Sequence, residues 1–163
     1  MESNFNTLDF KMFDPVEAGE PWAVSFGAKD KVVEIYIDGK KLIDTIREIE
    51  YPYMKEEGLL DDPDGDYGHV SPSSLYNDLT WVVDKNGYAD DFLGVYLFCC
   101  ADCGEEGCWS VTLHVKKDDQ YVYWHDFQHE HRHWVYNLTY KFEKEAYEKA
   151  LQKLKNMSLR QRR

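Results

Sequence analysis

Val33, Ile35 and Ile37 alternate with Val32, Glu34 and Tyr36, the period of two that marks a strand. Asp38-Gly39 ends it with turn chemistry. The period then lengthens. Leu42, Ile43, Ile46 and Ile49 recur at helical spacing with charges between them, which predicts a helix over residues 40–51, stopped by Pro52. Ahead of both, Trp22, Val24 and Phe26 alternate and give a short strand signal over residues 21–27. Residues 1–19 are polar with scattered Phe and read as a loosely attached arm.

Residues 55–74 carry no period. Asp61, Asp62, Asp64 and Asp66 stand there around Pro63 and Gly65. A calcium loop of the EF-hand type needs Gly at its sixth position and Glu at its twelfth, and Tyr67 and Ser73 occupy those places, so an acidic surface loop is expected. Leu75, Leu79, Trp81 and Val83 in residues 74–84 fit a short helix or a strand equally.

The second half is more regular. Leu93, Val95, Leu97 and Cys99 alternate with Phe92, Gly94, Tyr96 and Phe98, apolar on both faces, as in a central strand. Trp109, Val111, Leu113 and Val115 alternate with Ser110, Thr112 and His114, a strand with one wet face. Further strands are expected over residues 121–127 and 138–142. Ala146, Tyr147, Ala150, Leu151 and Leu154 form the apolar stripe of a last helix over 144–156. Residues 157–163 make a basic tail. Consecutive strands with short turns predict an α+β domain spanning 1–163: an antiparallel meander sheet with two helices packed on one face.

Composition narrows the function classes. An aromatic content of 15%, with 12 Tyr and 5 Trp, argues for a packed core and against disorder. The net charge of −12 disfavours nucleic-acid backbones and anionic membranes as partners. No apolar run approaches the ~20 residues of a membrane-spanning helix. The first residues lack the basic and apolar regions of a secretion signal, so a cytoplasmic location is expected. Cysteines in that compartment are free thiols or metal ligands more often than disulfides.

Three of the 4 cysteines fall in one turn, Cys100-Ala101-Asp102-Cys103-Gly104-Glu105-Glu106-Gly107-Cys108. Cys-x-x-Cys-Gly is the geometry of a metal knuckle, since two sulfurs approach one ion while Gly permits the tight bend. Cys108 offers a third sulfur, and His125 is the expected fourth ligand of a zinc ion. Free thiols in a glycine-bent hairpin, or a Cys103–Cys108 disulfide, are the alternatives. Cys99 alternates with core residues and is read as a small hydrophobe. His125, His129, His131 and His133 are all odd-numbered, so a continued strand would project them from one face beside Phe127, as a metal or ligand surface; a polar surface loop in which the histidines are incidental is the alternative, and the favoured one, because Glu130 and Arg132 interrupt the strand pattern. Trp124 and Trp134 are candidate binding aromatics, against the alternative of core residues. No Gly-x-Ser-x-Gly, His-Glu-x-x-His, Walker loop or dinucleotide fingerprint is present.

The cysteine turn, Trp124-His125-Asp126-Phe127, Tyr140-Lys141-Phe142 and Tyr147-Glu148-Lys149-Ala150-Leu151 together resemble a family of small uncharacterised bacterial proteins. That family has a Cys-x-x-Cys-Gly-x-x-Gly-Cys turn, a Trp-x-Asp-Phe strand and a C-terminal Tyr-x-x-Ala-Leu helix. The segment 35–39 followed by Leu42 is similar to its first half. The resemblance implies a bacterial or phage origin and no established activity. The histidines at 129–133 stand outside the shared pattern, and Tyr140 occupies a Phe position.

The function expected from these residues is that of a small acidic binding or inhibitor-type protein, immunity or anti-defence-like and non-enzymatic. It would take a protein partner, or a small ligand, through an exposed aromatic patch rimmed by carboxylates. A structural zinc would sit at the cysteine turn. The alternative is a metal-dependent enzyme with Cys and His ligands and an open coordination position.

Overall fold

A computed structural model describes residues 5–61, 66–84 and 94–160. Phe92 and Leu93, the aspartates at 62 and 64, and the tail from 161 lie outside the described residues, as do the side chains of residues 81–84.

The chain runs β1 (Leu8–Phe13), α1 (Pro21–Phe26), β2 (Val32–Ile37), β3 (Lys40–Lys41), α2 (Leu42–Glu56), β4 (Tyr67–His69) and α3 (Pro72–Asp84), followed by β5 (Val95–Tyr96), β6 (Phe98–Cys100), β7 (Val111–Lys117), β8 (Tyr121–His129), β9 (Tyr140–Glu143) and α4 (Lys144–Ser158). The class is α+β with antiparallel strand pairs. The strands form three sheets in the orders β1-β2-β3, β4-β6 and β5-β7-β8-β9, rather than one. Only the last keeps the expected meander, and the described residues form four helices where two were expected.

Several expectations are corrected. Residues 8–13 are not a loose arm: β1 pairs with β2 from Leu8↔Ile37 to Phe13↔Val32, and Phe10 is fully buried. Residues 21–26 are helical, because Pro21 sits at the first helical turn, where its missing N–H costs nothing, and Gly27 ends the helix in the left-handed conformation. Pro52 does not stop α2, which continues to Glu56. The extra turn carries Tyr53, whose ring stacks on Trp134 at 5.8 Å, and that packing offsets one lost backbone bond. The supposed central strand divides at Leu97: β5 pairs with β7, while β6 pairs with β4 in another sheet.

One irregularity decides the histidine faces. The β7–β8 register shifts between Thr112 and His114, and Asp126 takes a positive φ of 54°. Before this bulge the even positions Val122 and Trp124 are buried; after it the odd positions Phe127 and His129 are. His125 and His129 share parity but not a face.

The core joins residues of all three sheets, and its largest fully buried side chain is Trp124. Asn6 binds Lys141 by two backbone-directed bonds, its N–H to the Lys141 carbonyl at 2.6 Å and its Oδ1 to the Lys141 N–H at 3.0 Å. The Lys153 ammonium on α4 sits 2.6 Å from Asp9 of β1. Among the described residues, no helix is long and apolar enough to cross a membrane.

Candidate metal centre and adjoining pocket

Cys100 ends β6 opposite Tyr67 of β4. The chain then folds back on itself: Gly104 N–H donates to the Cys100 carbonyl at 2.9 Å, and Cys100 N–H donates to the Glu105 carbonyl at 3.0 Å. Gly104 has φ +76°, which an L side chain rarely adopts. The result brings the sulfurs of Cys100, Cys103 and Cys108 within 4.8 Å of one another. Tetrahedral zinc with ~2.3 Å bonds to sulfur separates its thiolates by about 3.8 Å, so a small contraction of the turn would close the group on an ion. All four cysteines are free thiols. Cys100 is buried, Cys103 half-buried and Cys108 exposed. Hydrogen bonds with Cys100 and Cys103 push the Cys108 thiol up to about 12. A cation bound at Cys108 would displace that proton.

His125 does not join this group. It lies on β8 opposite His114 of β7, and its Nδ1 is 3.1 Å from Asp126 Oδ2. The bulge at Asp126 turns it away from the face that carries His129. The histidine that touches the cysteine turn is His131, whose Nε2 lies 2.8 Å from the Gly107 carbonyl. His133 is exposed, beyond β8. Cys99 points inward as expected: its thiol donates to the His69 carbonyl at 3.4 Å, and burial raises its pKa.

The candidate binding aromatics are core residues. Trp124 is fully buried and donates from Nε1 to the Tyr147 hydroxyl at 3.2 Å. Trp134 is buried and donates to Glu57 at 2.6 Å. His129 is buried with its ring 4.1 Å from that of Trp109. Burial, then the charges of Arg132 and His131, lower its pKa to about 3, so it is neutral. Its Nδ1 accepts the His131 N–H at 3.0 Å, which places its proton on Nε2. Trp124, Trp134 and His129 are therefore not exposed binding features, whereas His131 and His133 are exposed. Among the described side chains, Phe26 and Tyr51 are the exposed large aromatics.

Beside the cysteine turn lies a cavity of about 330 Å³, lined among others by Trp22, Val32, His69, Ser74, Gly104 and Glu106. Trp22 is the shared wall. Its N–H donates to the Ala101 carbonyl at 2.8 Å, and its indole Nε1 donates to Glu20 Oε2 at 2.9 Å. Its ring lies over Gly104, and its edge lies against Gly68. A Cβ at Gly68 would stand 2.5 Å from Trp22 Nε1 and 2.9 Å from Cys99 Sγ. Gly68→Ala therefore displaces the indole. The expected cost is ~1–3 kcal/mol in the denaturant midpoint; a change below ~0.5 kcal/mol would show that the indole is free to move.

His69 forms the floor of the cavity. Its Nδ1 binds Glu20, and its Nε2 donates to Glu34 at 2.8 Å. Both ring nitrogens face carboxylates, which requires the imidazolium form. Burial opposes that charge, but the bonds to Glu20 and Glu34 outweigh it and raise the pKa to about 9.

Glu50 occupies a second buried site. Its Oε2 accepts the Tyr67 and Tyr136 hydroxyls, both at 2.5 Å, while Oε1 has no hydrogen-bond partner. Burial raises its pKa to about 7 against those two bonds.

Comparison with protein-family models, curated proteins and solved structures finds no match.

Proposed function

We propose that this is a non-enzymatic binding protein. Its Cys100–Cys103–Cys108 knuckle holds a structural zinc ion, and that ion stiffens one wall of the pocket beside it. The observation that carries the reading is the double role of Gly104, which bends the cysteine turn and also lines the cavity under Trp22. Three sulfur ligands select a soft or borderline cation over magnesium or calcium. The buried tryptophans weigh against an aromatic docking patch, so a concave site for a small group fits better than a flat protein interface.

Metal content by mass spectrometry tests the reading, on wild type beside Cys103→Ser, both purified from zinc-supplemented medium. One zinc per chain, lost in the variant, is expected. Stripping the ion should then lower stability by ~4 kcal/mol where free zinc stands a thousandfold above its dissociation constant. Wild type without metal would end the staple reading.

The exposure of Cys108 favours a second reading, a three-thiolate centre whose fourth position admits an outside ligand, as catalytic zinc does. Azide added to the cobalt-substituted protein separates the two: a changed visible spectrum marks an open position, and an unchanged one a closed staple.

A further inference from the structure

The pocket has a definite chemical character once its charges are paired off. Its apolar walls are Trp22, Val32, Val70 and Cys99. A volume of about 330 Å³ stands at the lower end of small-molecule sites and equals the liquid share of about ten waters. The ligand is therefore small.

His69 offers this space nothing. Both of its ring nitrogens are engaged by Glu20 and Glu34, and Lys41 stands 3.8 Å from the outer oxygen of Glu34. That group of four is self-neutralising. Lys29 and Asp30, adjacent on the lining, bring opposite charges. Glu106 is left over. Its Oε1 accepts the Ser74 hydroxyl at 3.0 Å, which orients the carboxylate without neutralising it. Among the described residues, no Lys, Arg or His forms an ion pair with it. A carboxylate set into an apolar wall beside an indole, with no cation of its own, is half of an ion pair and half of a cation–π site. A divalent ion held by the three thiolates would carry one net negative charge next to Gly104 and strengthen the field.

We propose that this pocket binds a small organic cation, an alkylammonium or guanidinium group, with its charge on the Glu106 carboxylate and its carbon chain on Trp22. The proposal rests on the metal-stapled reading of the neighbouring wall. A free amine and the Lys or Arg side chain of a protein present the same group, and the experiment separates these sources.

The zinc-loaded full chain is titrated with n-butylammonium, methylguanidinium and an end-blocked Gly-Lys-Gly peptide, and with n-butanol and butyrate as neutral and anionic isosteres. The Trp22 indole N–H resonance is followed throughout. The cations are expected to shift it saturably and the isosteres to leave it. Saturation by the free cations points to a free amine, and saturation by the peptide alone points to a protein side chain; either supports the site. Glu106→Gln should weaken binding by about tenfold or more, and Lys29→Met, at an exposed position, should tighten it. The opposite sign of the second variant keeps the test valid if the first fails to fold. Equal binding of n-butanol, unchanged affinity in the folded Glu106→Gln variant, or no shift with any cation would overturn the proposal. Zinc is assayed on the same samples: full zinc without cation binding ends the cation site alone, whereas cation binding without zinc ends the staple alone.

Discussion

His69→Ala destabilises the protein by about 3–5 kcal/mol, the cost of leaving a buried charge unpaired. The reason lies in what remains after the ring is gone. Glu34 is 6% exposed on a strand whose other residues are Val, Ile and Tyr. It loses its 2.8 Å partner and keeps only Lys41 at 3.8 Å, itself half exposed. Glu20 loses the Nδ1 bond but still accepts the Trp22 indole at 2.9 Å, so Glu34 bears most of the penalty. Adding Glu34→Gln to His69→Ala should recover part of the loss, because an amide costs less to bury than a carboxylate. Urea midpoints of wild type, single and double variants measure this. A single-variant effect below about 1 kcal/mol would mean that Glu34 reaches water in solution.

A steep alkaline limb in the stability profile is the second large effect. The His69 pKa rises from 6.5 to about 9 on folding. Its contribution is fully present below pH 6.5 and lost as pH rises through 9, a loss of about 3 kcal/mol for a shift of that size. The Glu50 pKa rises from 4.5 to about 7, so its contribution is present below pH 4.5 and lost as pH rises through 7, in the same direction. His129 has the opposite sign: its pKa falls from 6.5 to about 3, and its contribution is present above pH 6.5 and lost as pH falls through 3. Between about pH 4.5 and 6.5 the Glu50 and His129 slopes oppose each other; above pH 6.5 the His129 slope has ended. Denaturant midpoints at intervals from pH 5 to 9.5 should fall steadily above 6.5. Glu34→Gln, which removes one carboxylate from the imidazolium, should flatten that limb whatever it does to absolute stability. A wild-type profile level to pH 9 would show that His69 is neutral in the fold.

Much of this architecture is legible in the chain. The alternation in Val32–Ile37, the stripe of α4 and the cysteine spacing each state a local rule that the fold obeys. The misread positions are those where a neighbour distant in sequence overrides the local signal. Residues 8–13 become a strand because β2 offers them an edge. The histidines divide between faces because one bulge at Asp126 resets the parity of β8. Glu50 was available to sequence reasoning. It stands four residues after Ile46 and eight after Leu42, on the buried stripe of α2, where a carboxylate needs partners. Those partners, Tyr67 and Tyr136, lie 17 and 86 positions away, and no spacing rule links them. His69, Glu20 and Glu34 are likewise gathered from three elements, and only the lone charge in β2 hints at them.

The clasp between Asn6 and Lys141, continued by Asp9 on Lys153, bears on how the protein is made. β1 packs on α4, so it finds part of its covering surface on a segment made much later, Asp9 and Lys153 standing 144 positions apart. β2 meets α2 soon after it is made, whereas β1 waits for α4 before its contacts there form. Such long-range closure folds slowly.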